Sequence, residues 1–228
     1  MKTTIWCFPF AGASYYSYRP LFKNIENSFT IRYLELPGRG NRMNEPLLYS
    51  YDDVLDDIYK QVKGEIEEPY IFFGHSMGAQ LAFDTTHLLL SERNLKPLKL
   101  VVSGRGAPAV VKMKRRYDLP RPEFITALQK LGGIPNDILK DVEFFAFFEP
   151  VLRADFQAIE NHHYKEKEAL DIPIHALLGD AEETTIDEAS AWKEETKAQF
   201  DLKVFSGGHF FILDHSTAIQ QLITEIPH

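Results

Sequence analysis

The chain has 228 residues, 44% of them hydrophobic, with 17 Phe and 10 Tyr, which is material for one large core carrying an insertion. A formal net charge of -8 argues against nucleic acid or an anionic membrane as the main partner. The single cysteine, Cys7, rules out an internal disulfide framework and fits a reducing compartment.

Thr4 to Phe8 reads as the first strand, with Cys7 a buried strand residue in Ile5-Trp6-Cys7-Phe8. A loop of small residues follows, Pro9-Phe10-Ala11-Gly12-Ala13-Ser14. Phe29 to Leu36 alternates into a second strand that stops at Pro37-Gly38. Tyr51 to Ile66 carries Val54, Leu55, Ile58, Val62 and Ile66 at helical spacing. Tyr70 to Phe73 is an apolar strand after Pro69, and a helix opens at Ala79 and runs to about Leu90. Leu98 to Gly104 and Pro173 to Gly179 are further strands, Ala189 to Phe200 a helix, Leu202 to Phe205 the last strand, and Thr217 to Ile226 a closing helix. Strands alternating with helices predict an α/β fold: a mostly parallel sheet with helices on both faces, its ligands at the carboxyl ends of the strands.

From Asp118 to Tyr164 the alternation breaks into two or three helical segments without a strand. An insertion of this size between core strands is expected to be a helical lid within one domain spanning 1–228. Phe144, Phe145, Phe147 and Phe148 in it either pack the helices or meet substrate. No N-terminal signal pattern is present, and no apolar run approaches the roughly 20 residues that span a bilayer. The expectation is a cytoplasmic monomer without membrane attachment.

The chemistry centres on Gly74-His75-Ser76-Met77-Gly78, between the third strand and its helix. A serine between two glycines at such a junction is a nucleophile elbow: the turn is too sharp for side chains at its flanks, and it lifts the hydroxyl clear of the sheet. The serine needs a histidine base oriented by a carboxylate, in chain order Ser, Asp/Glu, His. Of eight histidines, His209 in Gly207-Gly208-His209-Phe210-Phe211 follows the last strand and is the expected base. His75 should point away from the reacting side. His87, His162, His163, His175, His215 and His228 are given packing or surface roles. The acid should lie in Gly179-Asp180-Ala181-Glu182-Glu183, where Asp180 and Glu182 both qualify. Oxyanion donors are expected from the backbones of Met77 and Ala11. Phe10 and Gly12 from the first loop and Phe144 and Phe148 from the lid are the expected substrate-binding residues. The sequence contains no metal-ligand cluster and no phosphate-binding glycine loop, so no cofactor or metal is expected.

On Cys7-Phe8-Pro9-Phe10-Ala11-Gly12, Leu36-Pro37-Gly38-Arg39-Gly40, the elbow, Leu131-Gly132-Gly133-Ile134-Pro135, Arg153-Ala154-Asp155-Phe156 and Gly207-Gly208-His209-Phe210, the chain resembles the type II thioesterases that accompany nonribosomal peptide and polyketide synthases. The resemblance spans nearly the whole length in the right order. It implies an α/β-hydrolase fold and hydrolysis of stalled or misprimed acyl groups from the phosphopantetheine arm of carrier proteins. The family usually has an aspartate three residues after the strand-ending glycine. That position is Glu182 here, which favours Glu182 over Asp180. A general carboxylesterase or acyl-CoA thioesterase, and an inactive hydrolase-fold binding protein, are the alternatives. Carrier proteins are acidic, so a local basic patch is expected to dock them: Lys112-Met113-Lys114-Arg115-Arg116, with Arg39 at the same edge.

Overall fold

A computed structural model describes residues 2–67, 69–110 and 114–225 of the chain. Its strands are β1 (Thr4–Phe8), β2 (Thr30–Tyr33), β3 (Tyr70–His75), β4 (Leu100–Ser103), β5 (Ile174–Gly179) and β6 (Phe200–Phe205). They pair in the order β2-β1-β3-β4-β5-β6, every pair parallel. Parallel neighbours need crossover connections, and helices on both faces supply them. The helices are α1 (Arg19–Phe22), α2 (Tyr51–Glu65), α3 (Met77–Arg93), α4 (Arg121–Leu131), α5 (Asn136–Lys140), α6 (Val142–Glu160), α7 (Ile186–Ser190) and α8 (Ser216–Thr224).

The period of two along the strands sorts the core into two layers. Trp6, Phe8, Tyr70, Phe72, Leu100 and Val102 face α2 and α3, packing on Val54, Ile58, Val62 and Leu81. Ile5, Cys7, Ile71, Phe73 and Val101 face α1 and α8, packing on Leu21, Phe22, Ile219 and Ile223. Each such side chain contributes about 1.5–3 kcal/mol when fully buried. Central β3 is buried at every residue, as its unbroken apolar run requires. The first ten residues of α3 are buried too, so the elbow joins the two most enclosed elements of the molecule. Burial raises the Cys7 thiol well above its usual range and leaves it inert.

Between β4 and β5 the insertion forms α4, α5 and α6, with a hydrophobic cluster of its own built from Phe124, Leu128, Leu139, Phe145, Leu152 and Phe156. Ala11 of the first loop packs against this cluster. The N-terminus of α6 is capped by the Asp141 carboxylate, which accepts the Glu143 and Phe144 amides at 3.1 and 3.0 Å.

Several boundaries differ from the sequence reading. The helix expected over Ala189–Phe200 starts earlier and stops sooner, because Thr185 and Glu188 form a capping box ahead of α7. A 3-10 turn, Ala191–Glu195, then seats Trp192, whose indole donates to the Arg105 carbonyl at 2.9 Å, and β6 begins at Phe200. β2 ends at Tyr33 rather than Leu36, and α3 runs on to Arg93, closed by Asn94 at φ 53. Lys112, Met113, Ile226 and His228 lie outside the described residues.

Candidate active site

Ser76 stands at the N-terminus of α3 with φ 56 and ψ -119, a strained conformation for a residue with a side chain. Its amide donates to the Ser103 carbonyl on β4 at 2.7 Å, which anchors the strained turn. The two flanking glycines are sterically required. A Cβ on Gly74 would lie 2.1 Å from the Gly78 carbonyl oxygen, and one on Gly78 would lie 2.2 Å from that of Phe8. Tyr18 ties the two strands below the site, its hydroxyl donating to the Phe8 carbonyl at 2.9 Å and accepting the His75 amide at 3.2 Å.

His209 follows β6, and its Nδ1 lies 2.8 Å from Oε2 of Glu182, which follows β5. The Glu182 side chain is 1% exposed, and its other oxygen accepts the Gly179 amide at 2.8 Å. The carboxylate is therefore aimed by the backbone of its own strand end. Asp180 is exposed and accepts the Gly207 amide at 2.9 Å, so it holds the histidine loop rather than the imidazole.

Ser76, His209 and Glu182 line one cavity of about 570 Å³, together with Phe10, Ala11 and Gly12. Its apolar wall comes from the insertion, through Leu128, Leu131, Ile134, Leu152 and Phe156. Ser76 is not hydrogen-bonded to His209 here, and such bonds commonly close only once substrate is bound. The Met77 and Ala11 amides find no acceptor among the described residues, so both are available to a ligand oxygen. No group of three or more His, Cys, Asp or Glu able to hold a metal occurs among the described residues.

Phe144 and Phe148 do not line this cavity. They are 46% and 39% exposed, because the phase of α6 is set by Phe145, Leu152 and Phe156 on its inner face. His75 stays out of the cavity, yet its ring packs against His209 with centroids 4.7 Å apart, and its Nδ1 meets Ser103 Oγ at 3.0 Å. Burial, with a smaller contribution from His209, holds His75 well below the usual histidine range, so it is neutral. His162 stacks on Tyr51 at 3.8 Å, away from Ser76.

Among the described residues of the basic run, Arg115 is exposed while Lys114 and Arg116 are paired with carboxylates. Lys114 pairs with Glu183 at 2.6 Å, and Arg116 pairs with Glu183 at 2.8 Å and Glu160 at 3.1 Å. Arg39 is buried beneath α6 on Asp155 instead of lying at the sheet edge, because that carboxylate supplies the partner a buried guanidinium requires. Neither Asp155 nor Tyr18 carried a role in the sequence reading. Asp155 falls in the Arg153-Ala154-Asp155-Phe156 stretch of the resemblance, but the partners lie up to 143 and 57 residues away, and nothing local assigns them.

A family model described as Thioesterase domain matches residues 3–226. The chain is 34% identical to the gramicidin S biosynthesis protein GrsT of Aneurinibacillus migulanus over 219 residues, 93% of this chain and 84% of that protein. It superposes on the type II thioesterase BorB from the borrelidin biosynthetic cluster with a TM-score of 0.91 at 32% identity, covering 99% of this chain and 92% of that one. For ClbQ from the colibactin NRPS/PKS pathway the TM-score is 0.89 at 29% identity, covering 97% and 95%.

Proposed function

The chain belongs to the thioesterase domain family, and on that premise we propose that it is a type II thioesterase that clears stalled or aberrant acyl groups from the phosphopantetheine arm of carrier proteins. The observation that carries the mechanism is the Glu182–His209 contact beside a strained Ser76 in one cavity. In this reading Ser76 Oγ attacks the thioester carbonyl while His209 Nε2 takes its proton. Glu182 holds the imidazole by Nδ1 and stabilises the imidazolium that forms. The Met77 and Ala11 amides receive the oxyanion. Collapse of the tetrahedral adduct breaks the C–S bond, and His209 returns its proton to the pantetheine thiolate. Water, activated by the same imidazole, then attacks the acyl-serine, releasing the free acid and Ser76.

Phe10 and Gly12 serve as substrate contacts, and the apolar wall of the cavity takes the acyl chain. Residues 118–164 act as the lid, a role supported by their separate hydrophobic cluster, within a single domain over 1–228. The protein is read as a monomer working in the cytoplasm, in keeping with its one buried cysteine. No helix among the described residues is long and apolar enough to cross a membrane. The test is turnover of an acyl-carrier thioester by wild type and by Ser76→Ala. Release of free acid by wild type alone supports the reading, and release by both ends it.

A further inference from the structure

Asp155 belongs to α6, yet none of its side-chain hydrogen bonds stays within the insertion. Its side chain is 1% exposed. Oδ2 accepts the Gly12 amide at 2.7 Å, and Oδ1 accepts Nη2 of Arg39 at 2.8 Å, with a second bond from Nη1 to Oδ2. Arg39, in the loop after β2, is itself buried, and its Nε donates to the Pro37 carbonyl at 3.3 Å. One carboxylate thus ties together the loop after β1, the loop after β2 and the insertion.

Phe10-Ala11-Gly12-Ala13 is a turn closed by the Ala13 amide on the Phe10 carbonyl at 2.9 Å, with Gly12 at φ +80, as the third residue of a type II turn requires. Its first peptide plane is pinned by the Phe10 carbonyl. Because the peptide is trans, the Ala11 N–H points to the opposite side, out of the turn. The second plane is pinned by the Gly12 amide on Asp155. With both planes held, the torsions of Ala11 between them are restrained from either side. A carboxylate acceptor makes this the stronger kind of backbone hydrogen bond, and the Arg39 guanidinium bonded to both of its oxygens fixes its orientation.

We propose that Asp155 is a positioning residue for acyl transfer. By holding the Gly12 amide it fixes the Ala11 N–H where the oxyanion develops, so the donor is in place only while α6 is seated. This rests on the reading of Ser76 as nucleophile and Ala11 as donor.

Two charge-free pairs of substitutions separate this role from that of a plain ion pair. Arg39→Met with Asp155→Asn removes both charges but keeps an oxygen acceptor for Gly12. Arg39→Met with Asp155→Leu removes the acceptor as well. On a small acyl thioester the first should keep kcat within about threefold of wild type. The second should lose about 100-fold in kcat with KM changed less than about threefold, the cost of a misplaced oxyanion donor. Equal kcat in the two, or a loss carried by KM, overturns the proposal. Should the leucine pair not melt cooperatively, amide exchange in wild type decides. Gly12 should exchange no faster than the buried amides of α6 around Asp155, and exchange faster than those overturns the proposal. A wild type without thioesterase activity, or an active Ser76→Ala, sinks the underlying reading instead.

Discussion

Nδ1 of His209 lies 2.8 Å from a Glu182 carboxylate whose other oxygen is held at 2.8 Å by the Gly179 amide. Two adjacent strand ends, β5 and β6, meet through this pair, so the orientation of the imidazole is set by the sheet itself. Glu182→Gln should therefore lower kcat by about ten thousandfold, since an amide neither selects the tautomer nor stabilises the imidazolium. Asp180→Asn should cost less than about tenfold, because Asp180 braces the loop and does not touch the ring. Steady-state kinetics on one thioester checks the ranking, and the reverse order would give the role to Asp180.

The strain at Ser76 should be visible as lost stability. Glycine tolerates φ 56 and ψ -119 while alanine does not. Ser76→Gly should be more stable than Ser76→Ala by about 1–3 kcal/mol in urea unfolding, with both inactive. Equal stabilities would mean that the turn carries no strain.

How much of this was legible in the chain depends on sequence distance. The elbow is local: two glycines, a serine, an apolar strand and a helix announce it within about twenty residues. Glu182 and His209 are readable because each follows a strand, and parallel strand ends gather at one edge. The Phe144 and Phe148 expectation failed on helix phase, since four phenylalanines in five positions cannot share a face, and Leu152 and Phe156 decide which one turns inward. Arg39 looked like a surface cation because its partner, Asp155, is 116 residues away.

The insertion should behave as a unit looser than the sheet. Its helices pack mainly on one another, and Arg116 and Glu160 tie its two ends. Amides of residues 121–160 should exchange faster than those of β3 in hydrogen-exchange measurements. Protection equal to that of β3 would make the insertion fixed packing rather than a lid.

Arg116 and Lys114 should differ in what they contribute to stability. Arg116→Ala leaves the buried Glu160 without its cation and should cost about 1–3 kcal/mol. Lys114→Ala breaks an exposed pair and should cost at most about 1 kcal/mol. Burial already holds the Glu160 carboxyl above its usual range, and losing Arg116 raises it further. A carboxyl with a raised folded pKa binds its proton more tightly when folded, so stability falls as pH climbs through the folded value. The Arg116→Ala deficit should thus be small near pH 4 and grow toward pH 7 in thermal melts, and a deficit independent of pH would remove Glu160 from the explanation.

Whether this elbow acts on carrier-bound thioesters is decided by kcat/KM measured side by side for an acyl-carrier-protein thioester, the matching acyl-CoA and a p-nitrophenyl ester. The carrier-bound thioester should be preferred over both by at least about tenfold, and Ser76→Ala should turn over none of them. Faster turnover of the p-nitrophenyl ester than of the carrier thioester would contradict that preference.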